Sequence, residues 1–377
     1  MKKLKNIFIF ILLILLLQPK GGTWAYLLGI RWLYIFILGF LFTYILIPLT
    51  LKLTFFPHLY DTPDEERKIH KKPIPKTGGI CIFLSFILTV TRNLQFSKEL
   101  IAVLIGATIV FIISLIDDIK KLPASLRIAF HFIATLILVW GGIRITFIPK
   151  GWPFENLLEI IITFIWIIGI TNAINFLDGI DGLASSYVIT SSLFFFLISL
   201  ITNQRYLIFL TSALIGSVAG FLPYNLYKAK VFLGDSGAIF IGFLIGALAV
   251  MGSWAENDPL VALSIPVLIL GVAIFDMIYI TIARIHSGKI KTIKDWLEYT
   301  GRDHFHHRLL DFGFTQIEAV SFILTINIIL GLSALILKMN NQPKNATLLV
   351  VQAFVIFITI VILMLIGRRK RWEKPSC

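Results

Sequence analysis

Charge is scarce in this chain: Asp, Glu, Lys and Arg make up 15% of its 377 residues, whereas 57% are hydrophobic and the mean hydropathy is +0.88. A soluble domain cannot bury so much apolar surface, so the composition excludes one and makes lipid the solvent. Cysteine is nearly absent. Cys81, at the edge of an apolar run, and Cys377, at the last position, differ too much in setting to make a disulfide framework, and both read as without function. Acidic residues are outnumbered 21 to 34, for a net charge of +13. The basic residues are scattered between apolar runs of spanning length, which excludes a nucleic-acid surface and points instead to anionic membrane lipid. Low-complexity segments and inverted repeats of the transporter kind are also missing.

What the chain does have is apolar runs. They occupy 24–51, 78–92, 99–116, 126–141, 157–173, 186–202, 206–222, 237–252, 259–282, 319–337 and 346–366, which predicts an all-α, polytopic transmembrane bundle of about 11 spans. The first run is long enough to tilt or to begin as an interfacial helix. Residues 6–18 form a further apolar stretch behind Met1-Lys2-Lys3-Leu4-Lys5 with no A-x-A-like cleavage site after it, so an extra N-terminal helix is expected. The division that follows is a basic and apolar segment at 1–23, a membrane domain at 24–366 and a basic tail at 367–377. Segments 52–77, 117–125, 174–185, 223–236, 283–318 and the tail fall on one side of the spans, and because that side carries most of the Lys and Arg, all but 174–185 contributing, it is placed in the cytoplasm.

Nearly every polar residue of chemical interest falls on that side. The loop Asp61 to Gly79 combines prolines that forbid regular helix, glycines that allow close backbone approach, and cations suited to a phosphate. Asp117-Asp118 ends one span; adjacent carboxylates at a lipid interface repel, and a divalent metal or a proton-transfer role would give them a reason. A solvated helix end is the plain alternative. Asn172, Asn175, Asp178 and Asp181 share one face if the helix continues, although Gly179 and Gly182 favour a break that exposes backbone amides beside the carboxylates. In Phe232-Leu233-Gly234-Asp235-Ser236-Gly237, Asp235 is either an N-cap or a ligand, and Phe232 is either core or a surface for a base. Arg302-Asp303-His304-Phe305-His306-His307-Arg308 reads as a phosphate-facing cluster; a zinc site would need a cysteine or a further histidine.

In this order and on one side of the membrane, the five segments resemble the polyprenyl-phosphate N-acetylhexosamine-1-phosphate transferases, from about residue 24 onward. The resemblance implies transfer of a sugar-1-phosphate from a UDP-sugar donor to undecaprenyl phosphate, release of UMP, and a need for Mg²⁺, with Mn²⁺ as a substitute. It implies that Asp117 and Asp118 are catalytic, with Asp117 deprotonating or positioning the lipid phosphate, and that Asp235, with Asp118, holds the metal. His304, His306 and His307 then act near the pyrophosphate. Lys71, Asn172, Asn175, Asp178, Asp181, Phe232 and Arg308 are the implied substrate-binding residues, with Phe232 under uracil. The short loop after Asp118, the ending Lys76-Thr77-Gly78-Gly79 and the spaced histidines look like the N-acetylglucosamine-1-phosphate branch rather than the phospho-N-acetylmuramoyl-pentapeptide branch. A bacterial inner-membrane location, a cytoplasmic active site and a possible homodimer follow from the same likeness. One departure stands out: Ala273 occupies a place where the family often has proline, and Asp276 after it is left outside the expected site. The competing class, an ion-coupled transporter, predicts acids near mid-membrane, which only Asp276 approaches.

Overall fold

A computed structural model describes residues 12–52, 59–61, 73–148, 151–255, 258–292, 301, 303–340 and 342–372. The chain is a multi-pass helical membrane protein. Its helices are α1 Pro19–Leu27, α2 Arg31–Lys52, α3 Gly78–Asn93, α4 Lys98–Ile119, α5 Ala124–Trp140, α6 Glu155–Leu177, α7 Leu183–Ile201, α8 Arg205–Asn225, α9 Gly234–Met251, α10 Pro259–Ile269, α11 Gly271–His286, α12 Phe305–Asp311, α13 Gln316–Asn340 and α14 Pro343–Trp372. Two short antiparallel strands, β1 Tyr60–Asp61 and β2 Ile74–Pro75, pair Tyr60 with Pro75 and Asp61 with Ile74. The chain forms two compact units, Met1–Gly252 and Ser253–Cys377.

The expected span count needs correction. Among the described residues, eight helices are long and apolar enough to cross a membrane, and a ninth crossing is possible if the bent pair α10 and α11 counts as one. The expected span 259–282 is that pair, bent by 80° where the helix stops at Leu270. Gly271 opens the next helix with Leu330 packed so close that a side chain there would sit 3.0 Å from it. The expected span 24–51 is likewise split, because Gly29 takes φ +70° and separates α1 from α2. The runs 78–92 and 126–141 are helices of 16 and 17 residues, shorter than the ~20 that cross a bilayer upright. The expected N-terminal helix lies partly outside the described residues; residues 12–17 are helical.

In lipid, helices associate through close backbone packing rather than hydrophobic contrast, so small residues mark the interfaces. In the first unit α2 packs along α8, where Gly216 and Gly220 press against the Phe36 and Phe40 carbonyls and Gly39 faces Ser217. Gly220→Leu is therefore expected to pry α2 from α8 and to lower the melting temperature of the detergent-purified protein, at an overpacking cost of about 1–3 kcal/mol or more. Ala129→Leu, on an exposed face of α5, should leave the melting temperature unchanged. Helix α9 is buried around nearly all its circumference. Gly242 lets Thr171 and Ile174 of α6 approach to within 3.0 Å of where a side chain would begin, and Phe240 packs edge-on to Phe83, Phe86 and Phe111. This central helix begins at Gly234, so its first turn is fixed by everything packed around it.

Candidate active site

In the first unit the site is built at helix ends. Helix α4 ends on Asp117 and Asp118. Asp117 is buried; its Oδ1 accepts the Leu122 N–H at 2.6 Å and its Oδ2 accepts from the Arg127 guanidinium at 3.0 Å. Asp118 reaches across to the start of α9, where its carboxylate accepts the N–H groups of Asp235 at 3.2 Å and Ser236 at 3.0 Å. Free N–H groups and the partial positive charge of a helix N-terminus favour an anion there. Asp235 thus stands in the first turn of α9 and is not its cap; the cap position is Leu233, with no side-chain bond. Gly234 takes φ +74°, and a Cβ at that point would lie 3.1 Å from the Asp118 carboxylate and 3.3 Å from Lys76, so glycine is required both by the turn and by the space.

Helix α6 stops at Leu177, and Asp178 occupies its C-cap. The break comes from the glycines, as the alternative reading of that segment had it: Gly182 is left-handed and α7 starts directly after it. Asn172 and Asn175 remain on α6, half-buried, with the Asn172 amide donating to the Ile168 carbonyl at 2.7 Å. Asp181 accepts the Ala229 N–H at 3.0 Å and so ties the break to the loop before α9. Phe232, half-buried in that loop, donates its N–H to the Pro75 carbonyl at 2.9 Å. Lys71 lies outside the described residues.

The electrostatics of this unit are those of an acid-rich cluster. Burial raises the Asp178 carboxyl well above the ordinary carboxylate range, and the charges of Asp235 and Asp118 push it further; Lys76 opposes them. Burial works against the Lys76 ammonium, yet Asp61, Asp235 and Asp118 outweigh it and hold the lysine above its ordinary value. The donors are all oxygens, and the Ser236 hydroxyl beside them is buried with no partner among the described residues. That set suits a hard divalent cation, which one or two carboxylates plus substrate phosphates commonly hold. Among the described residues no three His, Cys, Asp or Glu side chains converge as a ready-made metal cage.

The second unit carries the histidines. His304 is the N-cap of α12, and its Nδ1 meets Asp276 Oδ2 at 3.0 Å while its Nε2 faces the Arg284 guanidinium at 3.4 Å. With the proton on Nδ1, both ring nitrogens are matched, so Asp276 and Arg284 fix the tautomer. Asp276 also accepts the Phe305 N–H at 2.7 Å. Arg284, only 2% exposed, forms a two-pronged pair with Asp303 at 2.9 and 2.6 Å. His306 is fully buried, stacks 5.8 Å from His304, and neither of its ring nitrogens has a hydrogen-bond partner among the described residues. Burial keeps it well below the ordinary imidazole range, helped by His307 and His304. Arg308 donates to the Asp303 carbonyl at 3.0 Å and lies over the Tyr279 ring.

Asp117, Asp118, Asp178, Asp181 and Asp235 are thus brought into one electrostatic neighbourhood, and the three histidines into another. Sequence reasoning missed Lys76, Arg127, Asp276, Arg284 and Asp303. Asp276 was set aside on a neighbouring substitution, yet it anchors both His304 and the start of α12. The spacing of Arg127 ten residues after Asp117 carries no signal, because its partner is set by the turn at Pro123 that starts α5.

The sequence pattern of glycosyl transferase family 4 matches residues 100–253, the stretch that holds all five of these aspartates. Over 343 residues the chain is 30% identical to a probable undecaprenyl-phosphate N-acetylglucosaminyl 1-phosphate transferase of Bacillus subtilis (strain 168), covering 90% of this chain and 92% of that protein. It is 30% identical over 276 residues to an undecaprenyl-phosphate alpha-N-acetylglucosaminyl 1-phosphate transferase of Thermotoga maritima, covering 72% and 81%. A phospho-N-acetylmuramoyl-pentapeptide-transferase of Carboxydothermus hydrogenoformans is 31% identical over a shorter 232 residues, 55% of this chain and 70% of its own. Similarity along nearly the whole chain, with the acidic motifs inside the matched stretch, means that this protein belongs to the polyprenyl-phosphate N-acetylhexosamine-1-phosphate transferases of glycosyl transferase family 4.

Proposed function

We propose that this protein transfers N-acetylglucosamine-1-phosphate from UDP-N-acetylglucosamine to undecaprenyl phosphate at the cytoplasmic face of a bacterial inner membrane, releasing UMP and starting a cell-surface glycan. The acidic cluster at the ends of α4 and α6 and the start of α9 carries the reading, together with the similarity to the probable transferase of Bacillus subtilis. A phosphate oxygen of the lipid attacks the β-phosphorus of the donor; the new P–O bond forms as the bond from that phosphorus to the bridging oxygen breaks, and UMP leaves with the electron pair. Such a step gains most from positioning and charge neutralisation. Asp117, held by Arg127 and the Leu122 N–H, is assigned to the acceptor phosphate, as proton acceptor or as positioning group. Asp235 and Asp118 are assigned to Mg²⁺, which when bound supplies charge neutralisation to the phosphates. Asn172, Asn175, Asp178 and Asp181 are assigned to the nucleotide, Phe232 to the uracil face, and Lys71, Arg308, His304, His306 and His307 to the pyrophosphate.

The lipid's chain stays in the bilayer while its phosphate rises to the interface, so a water-soluble donor has to be met at cytoplasmic helix ends. The test is a membrane assay with labelled UDP-N-acetylglucosamine and undecaprenyl phosphate, with and without Mg²⁺. Mg²⁺-dependent lipid-linked product is expected. Product only from UDP-N-acetylmuramoyl-pentapeptide would move the protein to the branch of the Carboxydothermus relative, and no product from any UDP-sugar would return the transporter reading. Release of UMP in a burst without acceptor would replace direct attack by a covalent intermediate on Asp117.

A further inference from the structure

Lys76 is a cation that the fold itself ties into the acidic cluster, as is Arg127, which pairs with Asp117. Its N–H donates to the Leu59 carbonyl at 2.7 Å, the carbonyl of Pro75 before it accepts from Phe232 at 2.9 Å, and the N–H groups of Gly78 and Gly79 after it donate to Phe232 and Leu233 at 3.1 and 2.9 Å. The backbone on both sides of the lysine is therefore stitched to two separate stretches of chain, the β1 segment and the loop leading into α9. Its Cβ lies 3.3 Å from where a side chain on Gly234 would begin, a point only 3.1 Å from the Asp118 carboxylate. Its Nζ lies 3.5 Å from Asp61 Oδ1, with the two side chains 30% and 15% exposed. A lysine serving only to keep a loop on the cytoplasmic side needs no such fixing, because its work is done by charge in solvent.

The charges around it point to a task. One ammonium faces three carboxylates, those of Asp61, Asp118 and Asp235, which leaves the neighbourhood negative and hostile to a phosphate. A divalent cation on Asp118 and Asp235 reverses that balance and removes their claim on the ammonium. Asp61 still holds it, and an ammonium has three donors, so one N–H can stay on Asp61 while another reaches a phosphate oxygen.

Resting on the transferase reading above, we infer that Lys76 is a phosphate-binding residue of this site, held in place by Asp61, and that it competes with the divalent cation for the charge of Asp118 and Asp235. The phosphate belongs either to the lipid acceptor or to the nucleotide-sugar donor.

The experiment follows the melting temperature of the full-length protein in detergent during titrations with Mg²⁺, and then, at saturating Mg²⁺, with undecaprenyl phosphate or UDP-N-acetylglucosamine. Wild type is compared with Lys76→Met, Lys76→Arg and Asp61→Asn. Lys76→Met is expected to reach half-maximal stabilisation at a severalfold lower Mg²⁺ concentration, and to bind one of the two phosphate ligands about tenfold or more weakly, the size of one charge-assisted hydrogen bond. The ligand that loses affinity names the source of the phosphate. Lys76→Arg should stay within about threefold of wild type, since it keeps the charge and the donors. Asp61→Asn, which frees the lysine without removing its charge, should lose part of the same affinity and serves if Lys76→Met fails to fold. Equal ligand affinities in wild type and Lys76→Met, or an unmoved Mg²⁺ midpoint, would overturn the inference alone. Wild-type protein that binds neither ligand would overturn the transferase reading and this inference with it.

Discussion

Asp235→Asn is expected to slow formation of lipid-linked product by at least about a hundredfold, the usual loss when one preorganised electrostatic contact is removed from a site of this kind. Asparagine keeps the size of the side chain, and the backbone N–H that residue 235 gives to Asp118 does not depend on the side chain. The first turn of α9 should therefore stand while its charge is lost. Asp117→Asn gives a useful contrast. Its amide oxygen can still accept the Leu122 N–H, but the charge opposite Arg127 disappears. A fall of about 10²–10⁴ is expected there, the range of a lost proton-transfer group. The two variants should separate on metal: Asp235→Asn shifts the Mg²⁺ requirement upward, whereas Asp117→Asn keeps the wild-type requirement. Initial rates over a range of Mg²⁺ concentrations, in membranes matched for expressed protein, check this. A wild-type Mg²⁺ profile for Asp235→Asn would remove Asp235 from the metal assignment.

The second large effect concerns folding. Asp303→Ala removes both carboxylate hydrogen bonds from the Arg284 guanidinium, which is only 2% exposed. Removing one partner of a buried, hydrogen-bonded pair costs about 3–5 kcal/mol, mostly because a charge is left without compensation. A marked drop in the melting temperature of the purified protein should follow. The double variant Arg284→Leu with Asp303→Ala should recover more than half of that drop, because neither charge is then left alone. A double variant no more stable than the single one would mean that packing, not pairing, sets the cost. Acid offers an independent check. Burial alone would raise the Asp303 carboxyl, but the hydrogen bond and charge of Arg284 outweigh it and hold Asp303 below the ordinary carboxylate range. A carboxyl depressed in the folded state stabilises fully above its unfolded value of about 4 and loses that contribution as pH falls through the folded value. The gap in melting temperature between wild type and Asp303→Ala should accordingly be full at neutral pH and shrink only in acid below about pH 4.

Much of this was legible in the sequence, because the signals involved are local. Each of the eleven apolar runs became a helix or a pair of helices, and Gly179 and Gly182 marked the break after α6. The span count differs because the runs 78–92 and 126–141 form helices of only 16 and 17 residues, and because hydropathy is blind to direction: the run 259–282 is apolar throughout, yet it turns by 80° at Leu270. The acidic residues were found because carboxylates at the ends of apolar runs are conspicuous. Their partners escaped because those bonds join distant stretches: Asp118 caps a helix 117 residues further on, and Asp276 meets His304 across 28 residues. Lys76 was overlooked for another reason. In a loop crowded with Lys68, Lys71 and Lys72, nothing in the spacing singles out Lys76, which follows β2 and pairs with Asp61 on β1.

The cap that Asp118 places on α9 has a consequence for substrate recruitment. Many proteins attract phosphate with the bare amides of a helix N-terminus, a fixed attraction that needs no cofactor. Here the N–H groups of Asp235 and Ser236 are already taken by a carboxylate of the protein itself. An arriving anion finds that end of α9 closed to it and has to be drawn by cations that come and go or can be displaced. If Asp118 and Asp235 hold a divalent ion as proposed, substrate capture at this helix follows the supply of that ion at the membrane surface, and the site is an open or a closed phosphate trap according to the ion content of the water it faces.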